Sequence, residues 1–243
     1  MTAPAVTPAR RALVLGGSGA VGGAIVEALA ARGLEVAFTF HTGRERSLAL
    51  SRACGARAIA VDLARPEAVR GLCTGLEAEG QAPDVLVHAA AITRARKLAD
   101  LTDDDWAAMV AVNVGSAIVA AQTLAPGLAA RGGGDLVFLG GLDRAQSVTA
   151  PIGYAATQGA LAAATMALAK ELGASGIRAN MLALGILDQG LSGGLDEALL
   201  ADYRRFSALR RTGTPAEVAR AAVWLALDNR YMTGRVIPVN GGL

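Results

Sequence analysis

Leu13 to Gly23 reads LVLGGSGAVGG, an apolar run that breaks into closely spaced glycines. Ala12 to Leu15 has the length and character of a strand buried on both faces, Gly16 to Gly23 makes a turn, and Ala24 to Ala31 continues as a helix ending near Gly33. Gly16, Gly19 and Gly22 stand in the spacing GxxGxxG. In the first strand–turn–helix unit of a chain, such glycines let the backbone turn tightly and approach a pyrophosphate, whose charge the helix N-terminus then meets. A glycine run elsewhere would be no more than a flexible turn; its position here makes it a candidate nucleotide site.

The same alternation repeats downstream. Strands are predicted at Glu35–Phe40, Ala58–Val61, Val85–His88, Leu136–Leu139, Ile177–Ala183 and Val236–Val239. Helices are predicted at Arg44–Ala53 and Pro66–Glu79, through Trp106, Asn113 and Gln122, from Tyr154 to Leu172, from about Leu195 to Phe206, and from Pro215 to about Leu227. Thr102 with Asp105, and Thr214 with Pro215 and Glu217, supply helix-start signals. Repeated βα units imply an α/β, doubly wound parallel sheet with right-handed crossovers. No linker or internal repeat divides the chain, so residues 11–243 read as one domain behind a mobile Pro- and Ala-rich tail at 1–10.

With 53% hydrophobic and only 18% charged residues, the chain can cover a sheet on both faces and is not a disordered sequence. The net charge of +2 is interspersed, which leaves no basic stripe for nucleic acid and no acidic tail. Cys54 and Cys73 lack metal-ligand spacing, and two histidines in all make a His-based metal site unexpected. Arg10 and Arg11 ahead of an apolar run imitate an export signal, but the glycines and Glu27 interrupt it. The expectation is a cytoplasmic protein with no membrane span and two inert thiols.

Gly134 to Ala160, GDLVFLGGLDRAQSVTAPIGYAATQGA, reads as a buried strand, a long loop and the start of an Ala-rich helix. A tyrosine hydroxyl held there, at the carboxyl edge of the sheet, can give or take a proton beside a ligand; the alternative is a packing tyrosine. No acidic residue ends the second predicted strand, as NAD would favour; His41 and Thr42 lead instead to Arg44 and Arg46, which can meet a 2′-phosphate or simply be solvated. NADP(H) is therefore favoured over NAD(H). Asp62 either accepts from an adenine amine or caps the next helix.

Several stretches in this order resemble the short-chain dehydrogenase/reductase family, and most of all its 3-oxoacyl-[acyl carrier protein] reductase branch. They are the GxxGxxG turn, Val61-Asp62-Leu63, the run from Trp106 to Asn113, Tyr154-Ala-Ala, Gly176-Ile-Arg-Ala-Asn180, and the ending Tyr231 to Leu243. The resemblance covers nearly the whole chain. It implies a Rossmann-type seven-stranded parallel sheet, helices on both faces, NAD(P)(H), and hydride transfer at a carbonyl carbon. It also implies a homodimer or homotetramer and a small-molecule or acyl-carrier-protein-bound substrate. By that resemblance Asn113 and Tyr154 are catalytic, and cofactor contacts fall on Gly16, Ser18, Gly19, Val21, Gly22, His41, Thr42, Arg44, Asp62, Leu63, Ala89, Ala90, Gln158, Gly185 and Leu187.

Two catalytic positions depart from the family pattern. Its serine, thirteen residues before the tyrosine, falls on Gly141, and its lysine falls on Gln158. The family's Asn-Asn-Ala-Gly after the fourth strand is His88-Ala89-Ala90-Ala91 here. A lysine would lower the tyrosine pKa, whereas a neutral amide supplies only hydrogen bonds. The lost hydroxyl removes a donor to the substrate carbonyl, which can cost about a hundredfold in rate. The activity implied is ketone reduction, weakened or rebuilt with other groups. Asp143, Arg144, Gln146, Ser147 and Gln189 are candidate replacements or loop-stabilising polar residues. Two alternatives stay open: a silent subunit that binds nucleotide or acyl chain and partners an intact reductase in a hetero-oligomer, and a non-redox isomerase or dehydratase. Gly185 to Gly194 with the helix after it, to about 212, reads as a substrate lid. Arg204, Arg205, Arg210 and Arg211 either face an acidic carrier protein or form a solvated surface.

Overall fold

The computed structural model describes residues 10–141 and 150–243. Its strands are β1 (Arg11–Leu15), β2 (Glu35–Phe40), β3 (Arg57–Ala60), β4 (Val85–His88), β5 (Gly134–Gly140), β6 (Ile177–Leu184) and β7 (Val236–Val239). They form one sheet in the order β3-β2-β1-β4-β5-β6-β7, parallel throughout. The helices are α1 (Ala20–Ala31), α2 (Arg44–Cys54), α3 (Pro66–Ala78), α4 (Asp103–Val110), α5 (Ser116–Ala130), α6 (Ile152–Leu172), α7 (Glu197–Phe206) and α8 (Pro215–Val223).

Alternation along the strands builds two cores. Val14, Val87, Val137 and Leu139 face one layer, where they meet Ile25 and Leu29 of α1 and Val218 and Ala222 of α8. Leu13, Leu15, Leu86 and Phe138 face the other, against Val69 and Leu76 of α3, Ala117, Ala121 and Leu124 of α5, and Leu161 of α6. Each large aliphatic side chain so buried contributes about 1.5–3 kcal/mol relative to exposure.

Element bounds differ from the predicted ones for physical reasons. Helix α1 begins at Ala20, not Ala24, because Gly22 and Gly23 are helix residues; a Cβ on Gly22 would run into the Gly16 carbonyl. The glycines therefore serve close packing as much as turning. The long helix predicted through Asn113 is α4 and α5 joined by a π-helical turn at Ala111–Gly115, and α8 likewise runs on into a π turn at Trp224–Asp228. Together α4, the turn and α5 make a 28-residue rod, Asp103–Ala130, long and apolar enough by composition alone to cross a membrane. The rod packs against α3 and α6 within the helical layer. Helix α7 starts at Glu197, where Asp196 accepts from the Leu199 amide at 2.7 Å.

Both capping signals are realised, one of them only by half. Thr214 and Glu217 make a reciprocal box, and Arg211 with the Thr214 amide holds the Glu217 carboxyl down at about 2. Thr102 accepts from the Asp105 amide at 3.2 Å, but the shorter Asp105 carboxylate turns to Arg94 and Arg96.

At the amino edge of the strands charged groups are tied together. Asp135 takes two 2.8 Å hydrogen bonds from Arg178 and one of 3.3 Å from Arg10, while Asp84 accepts from the Arg11 amide at 3.0 Å and faces Arg131. Both cysteines are free, and burial pushes the Cys73 thiol up to about 12. Asp143, Arg144, Gln146, Ser147 and the tail before Arg10 lie outside the described residues.

Candidate functional site

Strand order reverses between β1 and β4, and the crevice this opens at the carboxyl edge widens into a cavity of about 1040 Å³. At one end lies the glycine turn: Gly16, Ser18, Gly19, Val21 and Gly22 line the cavity. The Gly16 amide donates to Thr39 Oγ1 at 2.9 Å, which fixes the turn to β2. Gly16 has φ +79°, and a Cβ there would lie 2.8 Å from the Ala90 Cα. Gly19 is the N-cap of α1 and offers no side chain to cap it, so the orphan amides of its first turn remain for a ligand.

His41 and Thr42 follow β2 along the wall, and so does Arg46. Arg44, expected at the cofactor, opens α2 and is not among the lining residues; helical spacing turns Arg46, not its neighbour two residues earlier, toward the cavity. Asp62 and Leu63 line it as well. Asp62 Oδ1 accepts from the Ala64 amide at 3.0 Å and shapes the turn, while the N-cap of α3 is Arg65.

After β4, Ala89 and Ala90 reach the cavity but His88 does not. Its ring is fully buried, with Nε2 2.7 Å from Ser116 Oγ, and Ser116 in turn donates to the Val112 carbonyl at 2.7 Å. Since the serine proton is spent on Val112, Nε2 is the donor to Ser116, and Nδ1 has no hydrogen-bond partner among the described residues. Burial brings the imidazole down to about 4.

Tyr154 and Gly141 stand at the far end. No cation approaches the phenol among the described lining residues nearby, and burial pushes it up to about 12. The other two expected site residues are turned inward. Asn113 lies in the π turn, 1% exposed, where Oδ1 accepts from the Ile92 amide (2.8 Å) and Nδ2 donates to the Ile92 carbonyl (2.9 Å) and Thr157 Oγ1 (3.0 Å). Thr157 donates to the Tyr154 carbonyl at 2.7 Å, so Asn113 braces the helical turn that carries the tyrosine. Gln158 is also 1% exposed; its Oε1 accepts from the Gly141 amide at 3.0 Å. Neither residue is among those lining the cavity, and the Gln158 amide oxygen is engaged by Gly141, the residue after β5.

The outer wall is the segment read as a lid. Gly185, Leu187, Gln189, Leu191, Leu195 and Leu199 contribute to it, mostly with aliphatic side chains. Tyr203 donates to the Asn240 carbonyl at 2.7 Å and so pins α7 to the C-terminal segment. Of the four arginines expected to greet a carrier protein, Arg204 is held by Glu197 and Arg211 by Glu217, while Arg205 stacks 5.7 Å from the Phe206 ring centre. Among the described residues no cluster of three His, Cys, Asp or Glu side chains is placed to hold a metal ion.

Sequence reasoning missed Thr39 and Thr157, which fix the glycine turn and the tyrosine helix. The available signal for Thr39 was a hydroxyl among the apolar residues that follow Glu35 in EVAFTF.

Comparison with known proteins agrees with this geometry. Residues 17–243 match the family model described as enoyl-(acyl carrier protein) reductase. The chain is 29% identical over 241 residues to the 3-oxoacyl-[acyl-carrier-protein] reductase FabG of Chlamydia trachomatis, covering 96% of this chain and 97% of that one. It is 31% identical over 236 residues to the reductase MabA of Mycobacterium tuberculosis, covering 96% and 92%. Among solved structures, a blue fluorescent protein from a metagenomic library in complex with NADPH superposes with a TM-score of 0.88 at 32% identity, covering 96% and 97%.

Proposed function

The chain belongs to the short-chain dehydrogenase/reductase family, and on that premise we propose that it reduces the ketone of a 3-oxoacyl thioester or polyketide-type substrate with NADPH. The observation that carries the reading is one cavity with the glycine turn at one end and the Tyr154 phenol at the other. NADPH, when bound, supplies the hydride to the carbonyl carbon. Tyr154 supplies the proton: as the carbonyl carbon is reduced, its oxygen takes the phenolic hydrogen, and water returns one to the phenolate. A phenol near 12 is almost wholly protonated at neutral pH, which suits a donor in reduction and makes a poor base for oxidation.

The residues fit the cofactor. The uncapped first turn of α1 suits a pyrophosphate, and Asp62 on the cavity wall is a carboxylate able to accept from an adenine amine. Arg46, with no carboxylate at the end of β2, supports NADP(H) over NAD(H). Leu187, Leu191, Leu195 and Leu199 offer an apolar wall to an acyl chain, delivered free or on an acyl carrier protein in the cytoplasm.

Gly141 and Gln158, which replace two catalytic side chains of the family, favour a second reading: a subunit that binds cofactor or acyl chain without turnover. The test is NADPH oxidation with a short 3-oxoacyl thioester. Turnover that falls by about a hundredfold or more in Tyr154→Phe is expected for a reductase. NADPH binding with no oxidation refutes it and leaves the silent subunit.

A further inference from the structure

The carboxyl end of β5 has two adjacent glycines, and each makes room for a different polar group. A Cβ on Gly140 would lie 2.7 Å from Gln158 Oε1 and collide with the Met181 methyl. A Cβ on Gly141 would collide with the Tyr154 hydroxyl and lie 3.0 Å from its Cζ. The phenol thus rests in the space that any side chain at 141 would fill. Gln158 holds the floor of that space in place: buried beneath it, Oε1 takes the Gly141 amide at 3.0 Å, and Nε2 lies 3.4 Å from Thr157 Oγ1. Thr157 closes the circuit by donating to the Tyr154 carbonyl, itself braced by Asn113.

We propose that Gly140, Gly141 and Gln158 form a seat for the Tyr154 hydroxyl, with Gln158 as a positioning residue, so that this site is rebuilt around its tyrosine rather than stripped of helpers. The inference rests on the reductase reading for its kinetic consequences only. The seat has a definite chemical result. With a neutral amide directed at the strand end and no ammonium beside the ring among the described residues, the hydroxyl stays protonated and its direction is fixed by packing. The family's residues are then misfits here: serine at 141 evicts the phenol, and lysine at 158 buries an ammonium and leaves the Gly141 amide without its Gln158 acceptor.

Steady-state kinetics of Gly141→Ala, Gln158→Met, their double variant and Gln158→Lys test the seat, with circular dichroism and NADPH binding confirming that each folds. Gly141→Ala and Gln158→Met are each expected to lower kcat about tenfold or more with KM and NADPH affinity unchanged, because they misplace a proton donor without touching the cofactor cradle. The double variant should be little worse than the worse single, since both act on one hydroxyl. A kcat at the wild-type level in either single variant, or a gain in Gln158→Lys, overturns the proposal. An ultraviolet titration, with Tyr154→Phe as the difference reference, reads the seat without turnover. The phenol should ionise near 12 in the wild type and lower in Gly141→Ala, and an unshifted curve also overturns it. If the wild type shows this shift and oxidises no NADPH, the reductase reading fails and the seat stands.

Discussion

His88, at the end of β4, is sealed under α5, donating one proton to Ser116 with Nδ1 unmet among the described residues. Its imidazole falls from 6.5 to about 4 on folding, so the unfolded chain binds the extra proton between those values. Stability should therefore be intact above pH 6.5 and drain away as pH falls toward 4, by an amount on the order of 3 kcal/mol. Urea unfolding followed across that interval is expected to show His88→Asn losing less than the wild type; equal slopes would rule His88 out as the source. At this scale the sequence was legible in part. Tyr154 and the glycine turn could be named from position alone. The inward facing of Asn113 and Gln158 could not, because which way a helical side chain points depends on where the helix is docked. Thr157 was passed over for the same reason: its worth lies in Asn113, 44 residues away.

The connection from β2 into α2 carries the contact proposed for a cofactor 2′-phosphate. The helix opens at Arg44 behind Gly43, which has φ +70°, and its first turn brings Arg46 into the cavity wall. Arg46→Ala should raise the NADPH dissociation constant about tenfold and leave NADH nearly unchanged, as fluorescence titration would show; equal losses for both would mean the guanidinium meets no 2′-phosphate. Strand and helix identities were readable because apolar runs of four to eight residues alternate with helical stretches. The starts after Thr102 and Thr214 were readable because a threonine side chain does the capping there. The start of α1 was not, since its N-cap is a glycine and two more glycines sit inside the helix for packing. The π turns at Ala111–Gly115 and Trp224–Asp228 carry no compositional mark at all.

The molecule as a whole was the most legible level, because six successive βα units and a seventh strand admit few topologies once crossovers are right-handed. The expected homo-oligomer is testable at one apolar surface. Trp106 and Val110, one turn apart on α4, and Met166 on α6 are large apolar side chains left exposed on packed neighbouring helices. A second copy of the chain would cover them. Sedimentation velocity should find a dimer or tetramer that Trp106→Glu with Met166→Glu dissociates, and an unchanged assembly would place the contact elsewhere. The two edges of the sheet are also unequally secured. Asp135, Arg178, Arg10, Asp84 and Arg131 lash together the amino edge, while the carboxyl edge is finished in glycines around an open cavity. Warming should thus loosen first the ends that grip a ligand, so that thermal endurance becomes a gauge of occupancy: filled with dinucleotide, the fold gains an added clasp on its cavity side.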